Sequence, residues 1–141
     1  MKKIEHIGIA VKSIENANQI YTSLLGASPY KTEEVKSEGV KTSFLKVGDS
    51  KIELLEAINP DSPIAKFIEK RGEGVHHIAF AVDDIQSEIV RLKNEGFIVK
   101  QGEKYQIEEK VRSYKVLNIE AQDESKSKMV QSAAYQSSTN S

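Results

Sequence analysis

The chain has 141 residues, a formal net charge of −1 and no cysteine. The lack of cysteine excludes disulfides, zinc fingers and thiolate catalysis, and the charge argues against a protein dominated by nucleic-acid backbone binding. No apolar run approaches the roughly 18 residues that cross a bilayer, and the N-terminus has no apolar signal-peptide core. We therefore expect a cytoplasmic globular protein without nucleic-acid or membrane partners, in which His, Asp or Glu would hold any metal.

The spacing of apolar residues predicts a first module of β-α-β-β-β order over residues 1–58. A strand over residues 4–11 precedes a helix that Ser13 caps and Gly26 ends. The apolar stripe of this helix comprises Ile14, Ala17, Ile20, Tyr21, Leu24 and Leu25. Further strands are predicted near residues 29–36, 40–47 and 50–56, the last two separated by a Gly-Asp-Ser turn.

A linker helix over residues 62–72, with Pro63 at its first position, leads to a second module over residues 74–121. That module opens with a strand over residues 75–82 and a helix capped by Asp84. Its later strand pattern is weaker, which leaves its completeness open. We expect a single domain over residues 1–121 and a polar, disordered tail over residues 122–141.

One segment of the chain occurs twice. His6-Ile7-Gly8-Ile9-Ala10-Val11 returns 71 positions later as His77-Ile78-Ala79-Phe80-Ala81-Val82. Because side chains alternate across a strand, each histidine shares its face with small residues and the bulky residues build a core behind it. A lone histidine is more often hydrogen-bonded within a sheet, but the duplication favours a pair of functional histidines at a cavity.

Glu53 interrupts the apolar strand Lys51-Ile52-Glu53-Leu54-Leu55. The carboxylate is therefore either solvated on an outer face or placed in a polar pocket. Burial of an unpaired carboxylate costs several kcal/mol, which a bound cation would offset. Together with the two histidines, Glu53 is a candidate metal ligand.

The segments HIGIAV, GVKTSFLKVGDSKIELLE and SPIAKFIEKRGEGVHHIAFAVDDI resemble the vicinal oxygen chelate superfamily, and within it the bacterial methylmalonyl-CoA epimerases. The resemblance runs from Met1 to about Glu103. It implies an α+β fold in which paired β-α-β-β-β modules form a curled mixed sheet around a cleft. It also implies a homodimer and a divalent metal, one of Co, Zn, Ni, Mn or Fe.

The resemblance implies His6, Glu53 and His77 as metal ligands, with His76 on the opposite strand face as the weaker candidate. The family's fourth ligand is a glutamate in a final strand, and no matching pattern occurs in this chain. Glu120 is the candidate substitute. Glu124 is another, because it lies one repeat length after Glu53.

The implied reaction interconverts (R)- and (S)-methylmalonyl-CoA through a metal-stabilised enolate. Glu53 would act as both ligand and base, and Thr42 stands near a position where the family has a further base. The phosphates of the acyl-CoA substrate would be contacted by Lys41, Lys66, Lys70 and Arg71.

The sequence leaves three alternatives to an epimerase open. The chain could be a glyoxalase I-type lactoylglutathione lyase, which uses the same metal-enolate chemistry. It could be a non-catalytic, bleomycin-resistance-like protein that binds small molecules without metal. Because the C-terminal segment departs from the family, it could also be a folded but inactive member.

Overall fold

The protein has an α+β fold, described here from a computed structural model. The structure describes the backbone of residues 1–107, 112–121 and 132–139, and the side chains of residues 1–97 and 99. The chain divides into two compact units, one comprising residues 6–77 and the other residues 1–5 and 78–141.

The unit of residues 6–77 follows the predicted β-α-β-β-β order. Its elements are β1 (Lys3–Ala10), α1 (Ile14–Leu25), β2 (Lys31–Val35), a 3-10 turn (Lys36–Glu38), β3 (Val40–Val47), β4 (Ser50–Ala57), α2 (Pro63–Arg71) and the start of β5 (Gly74–Ala81). The strands form a mixed sheet in the order β2-β3-β4-β1. Strands β1 and β4 are parallel, and the other two pairs are antiparallel.

Each face of this sheet carries an apolar cluster beneath one helix. The α1 face has a buried cluster of Val11, Ile14, Ala17, Leu45 and Leu54. The opposite face has a cluster of Ala10, Val40, Leu55 and Ile64, against which Phe67 and Ile68 of α2 pack. The alternation of side chains along β1 and β4 produces this division. The second face is also the one that carries His6 and Glu53.

Local capping determines where the helices of this unit begin and end. The Ser13 hydroxyl accepts a hydrogen bond from the Asn16 amide at 3.2 Å, and Gly26 ends α1 in the left-handed conformation. The Ser62 hydroxyl accepts from the Ala65 amide at 3.1 Å, ahead of Pro63 at the start of α2. These caps satisfy amides that a helix leaves without partners, as the sequence predicts.

The other unit also has β-α-β-β-β order. It contains the end of β5, then α3 (Ile85–Asn94), β6 (Phe97–Ile107), β7 (Arg112–Ala121) and β8 (Ser132–Thr139). The strand order is β5-β8-β7-β6, with β5 and β8 parallel. Asp84 caps α3 by accepting from two amides, and the core beneath the helix comprises Val82, Ile85 and Leu92.

The structure corrects two predictions. Residues Ser132–Thr139 form β8, although a disordered tail was expected over residues 122–141. Backbone hydrogen bonds to β5 and β7 order this segment, and they do not require apolar side chains. Ile20 and Leu24 of the predicted α1 stripe are 66% and 72% exposed, because they lie at the edge of the helix face that contacts the sheet.

Among the described residues, no helix is long and apolar enough to cross a membrane.

Candidate metal centre

Three strands of the unit of residues 6–77 each contribute one possible metal ligand. The Nε2 atom of His6 on β1 lies 2.7 Å from Oε2 of Glu53 on β4 and 2.9 Å from Nε2 of His77 on β5. One ligand atom from each residue lies within 4.8 Å of the others. We predicted from the sequence that these three residues belong to one site, and in the structure they form one cluster.

The parallel pairing of β1 and β4 determines where the carboxylate lies. Gly8 is the register partner of Glu53, and His6 is two residues before Gly8 on the same strand face. A Cβ on Gly8 would lie 2.5 Å from Nδ1 and 2.7 Å from Nε2 of His77. The His77 imidazole therefore occupies the volume that any larger residue at position 8 would need. We predicted that the small residues beside the histidines leave open volume. At Gly8 the His77 ring fills that volume.

The two separations from Nε2 of His6 suit a transition-metal ion. Two ligands at about 2.1 Å from an ion lie about 3.0 Å apart when they are adjacent in octahedral geometry. The observed 2.7 and 2.9 Å need only a small expansion to reach that value. Two imidazoles and one carboxylate form the nitrogen-and-oxygen set that divalent Co, Ni, Mn, Fe and Zn accept. The residues therefore fit the metal that the resemblance implies.

Burial favours the neutral form of His77. The side chains of His6 and Glu53 are only 14% and 15% exposed. The pKa of His77 is lowered from 6.5 to about 4, mainly by desolvation and then by the neighbouring His6 and His76, against an opposing effect of Glu53. Desolvation also lowers the pKa of His76. A neutral imidazole has the lone pair that metal binding requires, so His77 can bind an ion at neutral pH.

His76 lies next to the cluster, although we predicted it to point away from the ligands. Its Nδ1 is 2.9 Å from Nδ1 of His77, and its ring makes an edge-to-face contact with Phe67 at 4.9 Å between centroids. Consecutive residues of a strand start in opposite directions, but ring rotation allows the two Nδ1 atoms to meet. The His-His doublet in the sequence is the signal that would have indicated this contact.

The predicted substrate-binding cations do not belong to the three-residue cluster. Lys66, Lys70 and Arg71 are exposed on α2, and the Arg71 guanidinium lies 5.9 Å from the centre of the Phe67 ring. Lys41 is half-buried on β3, where it is the register partner of Glu34 and Glu56. Their proposed role in substrate binding stays a prediction.

Three further residues singled out from the sequence are Thr42, Glu120 and Glu124. Thr42 is buried on β3 at the register position of Leu55, on the same sheet face as Glu53, and its hydroxyl is not a general base. Glu120 belongs to β7, but its side chain lies outside the described side chains. Glu124 lies outside the described residues. The role of Glu120 as fourth ligand stays a prediction.

Replacing Gly8 with alanine should impair metal binding, because the new methyl group would displace the His77 ring. We expect the affinity for Co(II), measured by competition with a chelator, to fall by about 10–100-fold. Mutations that remove the groups orienting a metal ligand typically have an effect of this size. Gly48→Ala is the matched control, because a Cβ there meets no atom within 4 Å and only the left-handed backbone is strained. Wild-type affinity in a folded Gly8→Ala protein would contradict this geometry.

The lowered pKa of His77 makes the stability of the metal-free protein depend on pH. Its ordinary pKa of 6.5 applies to the unfolded chain and the value of about 4 to the folded one, so the unfolded state binds more protons between these values. Stability should therefore be lost as pH falls from 6.5 towards 4, by at most about 1.4 kcal/mol per pH unit. Urea unfolding at pH 7 and pH 5.5 measures this loss.

The variant His77→Gln provides the comparison, because it lacks the titrating group. Its free energy of unfolding should decrease less than that of the wild type between the same two pH values. An equal pH dependence in the two proteins would mean that burial does not lower the pKa of this imidazole.

Several known proteins are similar to this chain. The family model of the Glyoxalase/Bleomycin resistance protein/Dioxygenase superfamily matches residues 5–126. An uncharacterised Bacillus subtilis protein, YqjC, is 38% identical over 67% of this chain and 68% of its own length. Ethylmalonyl-CoA/methylmalonyl-CoA epimerase of Cereibacter sphaeroides is 38% identical over 67% of this chain and 71% of its own. Human mitochondrial methylmalonyl-CoA epimerase is 37% identical over 64% of this chain, which spans about half (52%) of the human protein.

Solved structures share the fold over nearly the whole chain. A Bacillus halodurans hypothetical protein, BH1468, matches with a TM-score of 0.76 and 37% identity, over 99% of this chain and 96% of that one. A variant of Streptomyces coelicolor methylmalonyl-CoA epimerase, in complex with 2-nitronate-propionyl-CoA, also has a TM-score of 0.76, with 27% identity and coverage of 98% and 96%. This chain belongs to the glyoxalase/bleomycin resistance protein/dioxygenase superfamily, also known as the vicinal oxygen chelate superfamily.

Proposed function

We propose that the protein is a metal-dependent epimerase that interconverts (R)- and (S)-methylmalonyl-CoA. The observation that carries this proposal is the cluster of His6, Glu53 and His77, in which one possible ligand atom of each residue lies within 4.8 Å of the others. The similarity to several methylmalonyl-CoA epimerases supports the choice of substrate. The cytoplasmic location and homodimer expected from the sequence belong to the same proposal.

His6, Glu53 and His77 would hold the divalent ion. When bound, the ion would supply Lewis-acid stabilisation to negative charge that develops on the substrate. The ligand set is half-buried, which strengthens electrostatic effects by excluding bulk water. Such stabilisation is what removal of a proton next to a thioester requires, because the resulting negative charge spreads onto the carbonyl oxygen.

Glu53 would have a second role as a proton acceptor. Its carboxylate is the one acidic group of the three-residue cluster, and an ionised carboxylate accepts protons and hydrogen bonds only. Epimerisation also needs proton delivery to the opposite face of the substrate carbon. Thr42 does not provide such a group, so the second proton carrier would come from elsewhere in the chain.

The positive charges of α2 would orient the acyl-CoA. Lys66 and Lys70 are one helical turn apart and therefore lie on the same helix face. Together with Arg71, they give α2 three exposed cations. Phosphates are bound by such groups through charge-assisted hydrogen bonds, and Lys41 is the fourth candidate.

The test is hydrogen–deuterium exchange at the carbon between the thioester and the carboxylate of methylmalonyl-CoA. The reaction is followed by NMR in D₂O, with the metal-free protein and after addition of Co(II). We expect exchange that requires metal and that falls by at least about 100-fold in His6→Ala, His77→Ala and Glu53→Ala. Glu15→Ala, an exposed position in the first turn of α1, is the matched control and should keep wild-type exchange.

Two other substrates separate the alternative functions. Metal-dependent isomerisation of the glutathione–methylglyoxal hemithioacetal, without exchange of methylmalonyl-CoA, would assign a glyoxalase I-type activity. Tight binding of a small molecule with no turnover and no response to Co(II) would assign a non-catalytic binding protein. Exchange that proceeds equally without metal would also contradict the proposed epimerase.

A further inference from the structure

The histidine doublet at the start of β5 forms a hydrogen bond between its own two side chains. Nδ1 of His76 lies 2.9 Å from Nδ1 of His77, and the rings are nearly perpendicular, at 86° with centroids 5.2 Å apart. The Nε2 atom of His77 is thereby left to face His6 at 2.9 Å. Both ring nitrogens of His77 thus have a defined neighbour.

The protonation state of each nitrogen follows from Glu53. An ionised carboxylate only accepts hydrogen bonds, so the 2.7 Å contact requires a hydrogen on Nε2 of His6. Nε2 of His77, 2.9 Å from the same atom, must then be an acceptor with a free lone pair. A neutral imidazole carries one N–H, so the hydrogen of His77 is on Nδ1, and it is donated to Nδ1 of His76.

His76 is in turn held by a second ring contact. Its ring contacts Phe67 edge-to-face at 78°, and Phe67 packs on the apolar cluster beneath α2. The ring of His76 therefore has both a packing partner and a hydrogen-bond partner. The Phe67 contact therefore holds His76 in place as a hydrogen-bond acceptor. The Nδ1–H group of His77 needs such an acceptor because it is half-buried.

We propose that His76 is a positioning residue that holds His77 in the Nδ1–H tautomer, with its Nε2 lone pair directed at the ion site. The inference rests on the metal site of the proposed function. A ligand imidazole commonly donates its second nitrogen to a carboxylate, a carbonyl or water. In this chain the neighbouring imidazole takes that place, so His77 has the tautomer for metal binding before an ion arrives.

The first test uses the metal-free, full-length protein. Long-range ¹H–¹⁵N NMR at pH 8 reports which nitrogen of each imidazole carries the hydrogen. We expect the Nδ1–H tautomer for His77 and the Nε2–H tautomer for His76. An Nε2–H tautomer at His77 would overturn the proposal, whether or not the protein is an epimerase.

The second test compares His76→Asn with His76→Leu by Co(II) affinity and by the visible spectrum of bound Co(II). The Asn side-chain oxygen lies near the position of the imidazole Nδ1 and still accepts a hydrogen bond, whereas Leu has similar volume without an acceptor. We expect His76→Leu to weaken Co(II) binding about 10–100-fold and to change the spectrum, and His76→Asn to stay within about threefold of the wild type.

Equal losses in the two variants, or no loss in folded His76→Leu, would overturn the proposal. Circular dichroism and thermal unfolding of the metal-free variants establish that they are folded. If the wild type binds Co(II) but does not exchange methylmalonyl-CoA, the epimerase assignment fails and the role of His76 stands. If the wild type does not bind Co(II), the metal site and the inference fail together.

Discussion

The hydrogen-bonded contact of His6 with Glu53 and His77 is the interaction on which the site depends. Three polar side chains from three strands meet at 2.7 and 2.9 Å in a largely dehydrated position. Burial of such polar side chains costs free energy unless they form hydrogen bonds with one another or bind an ion. Glycine at position 8 makes the contact possible, because a side chain there would occupy the space of the His77 ring.

The rest of the unit of residues 6–77 serves to hold these strands in register. Leu54 and Leu45 pack under α1 on one face of the sheet, while Ala10 and Leu55 pack under α2 on the other. The second cluster begins directly beside the polar residues, and Phe67 links it to His76. Apolar burial thereby fixes the backbone from which the ligands project, and the hydrogen bonds determine their final orientation.

The sequence predicts the order of strands and helices because apolar periodicity, Ser and Asp caps and glycine turns all agree. It also brings His6 and His77 together, since the internal repeat puts them at equivalent strand positions, and Glu53 stands out as a carboxylate in an apolar strand. The contact of His76 was not predicted, because strand alternation gives the direction of Cβ and not the rotation of the ring. Strand β8 was not predicted because backbone pairing, not apolar periodicity, orders a segment of Ser, Ala and Gln.

The central claim is that the three side chains bind one divalent ion. Anomalous X-ray diffraction from crystals grown with Co(II) tests it most directly. The predicted result is a single anomalous peak about 2.0–2.2 Å from Nε2 of His6, Nε2 of His77 and a carboxylate oxygen of Glu53. A peak elsewhere in the protein, or none at this position when Co(II) is in excess, would contradict the account.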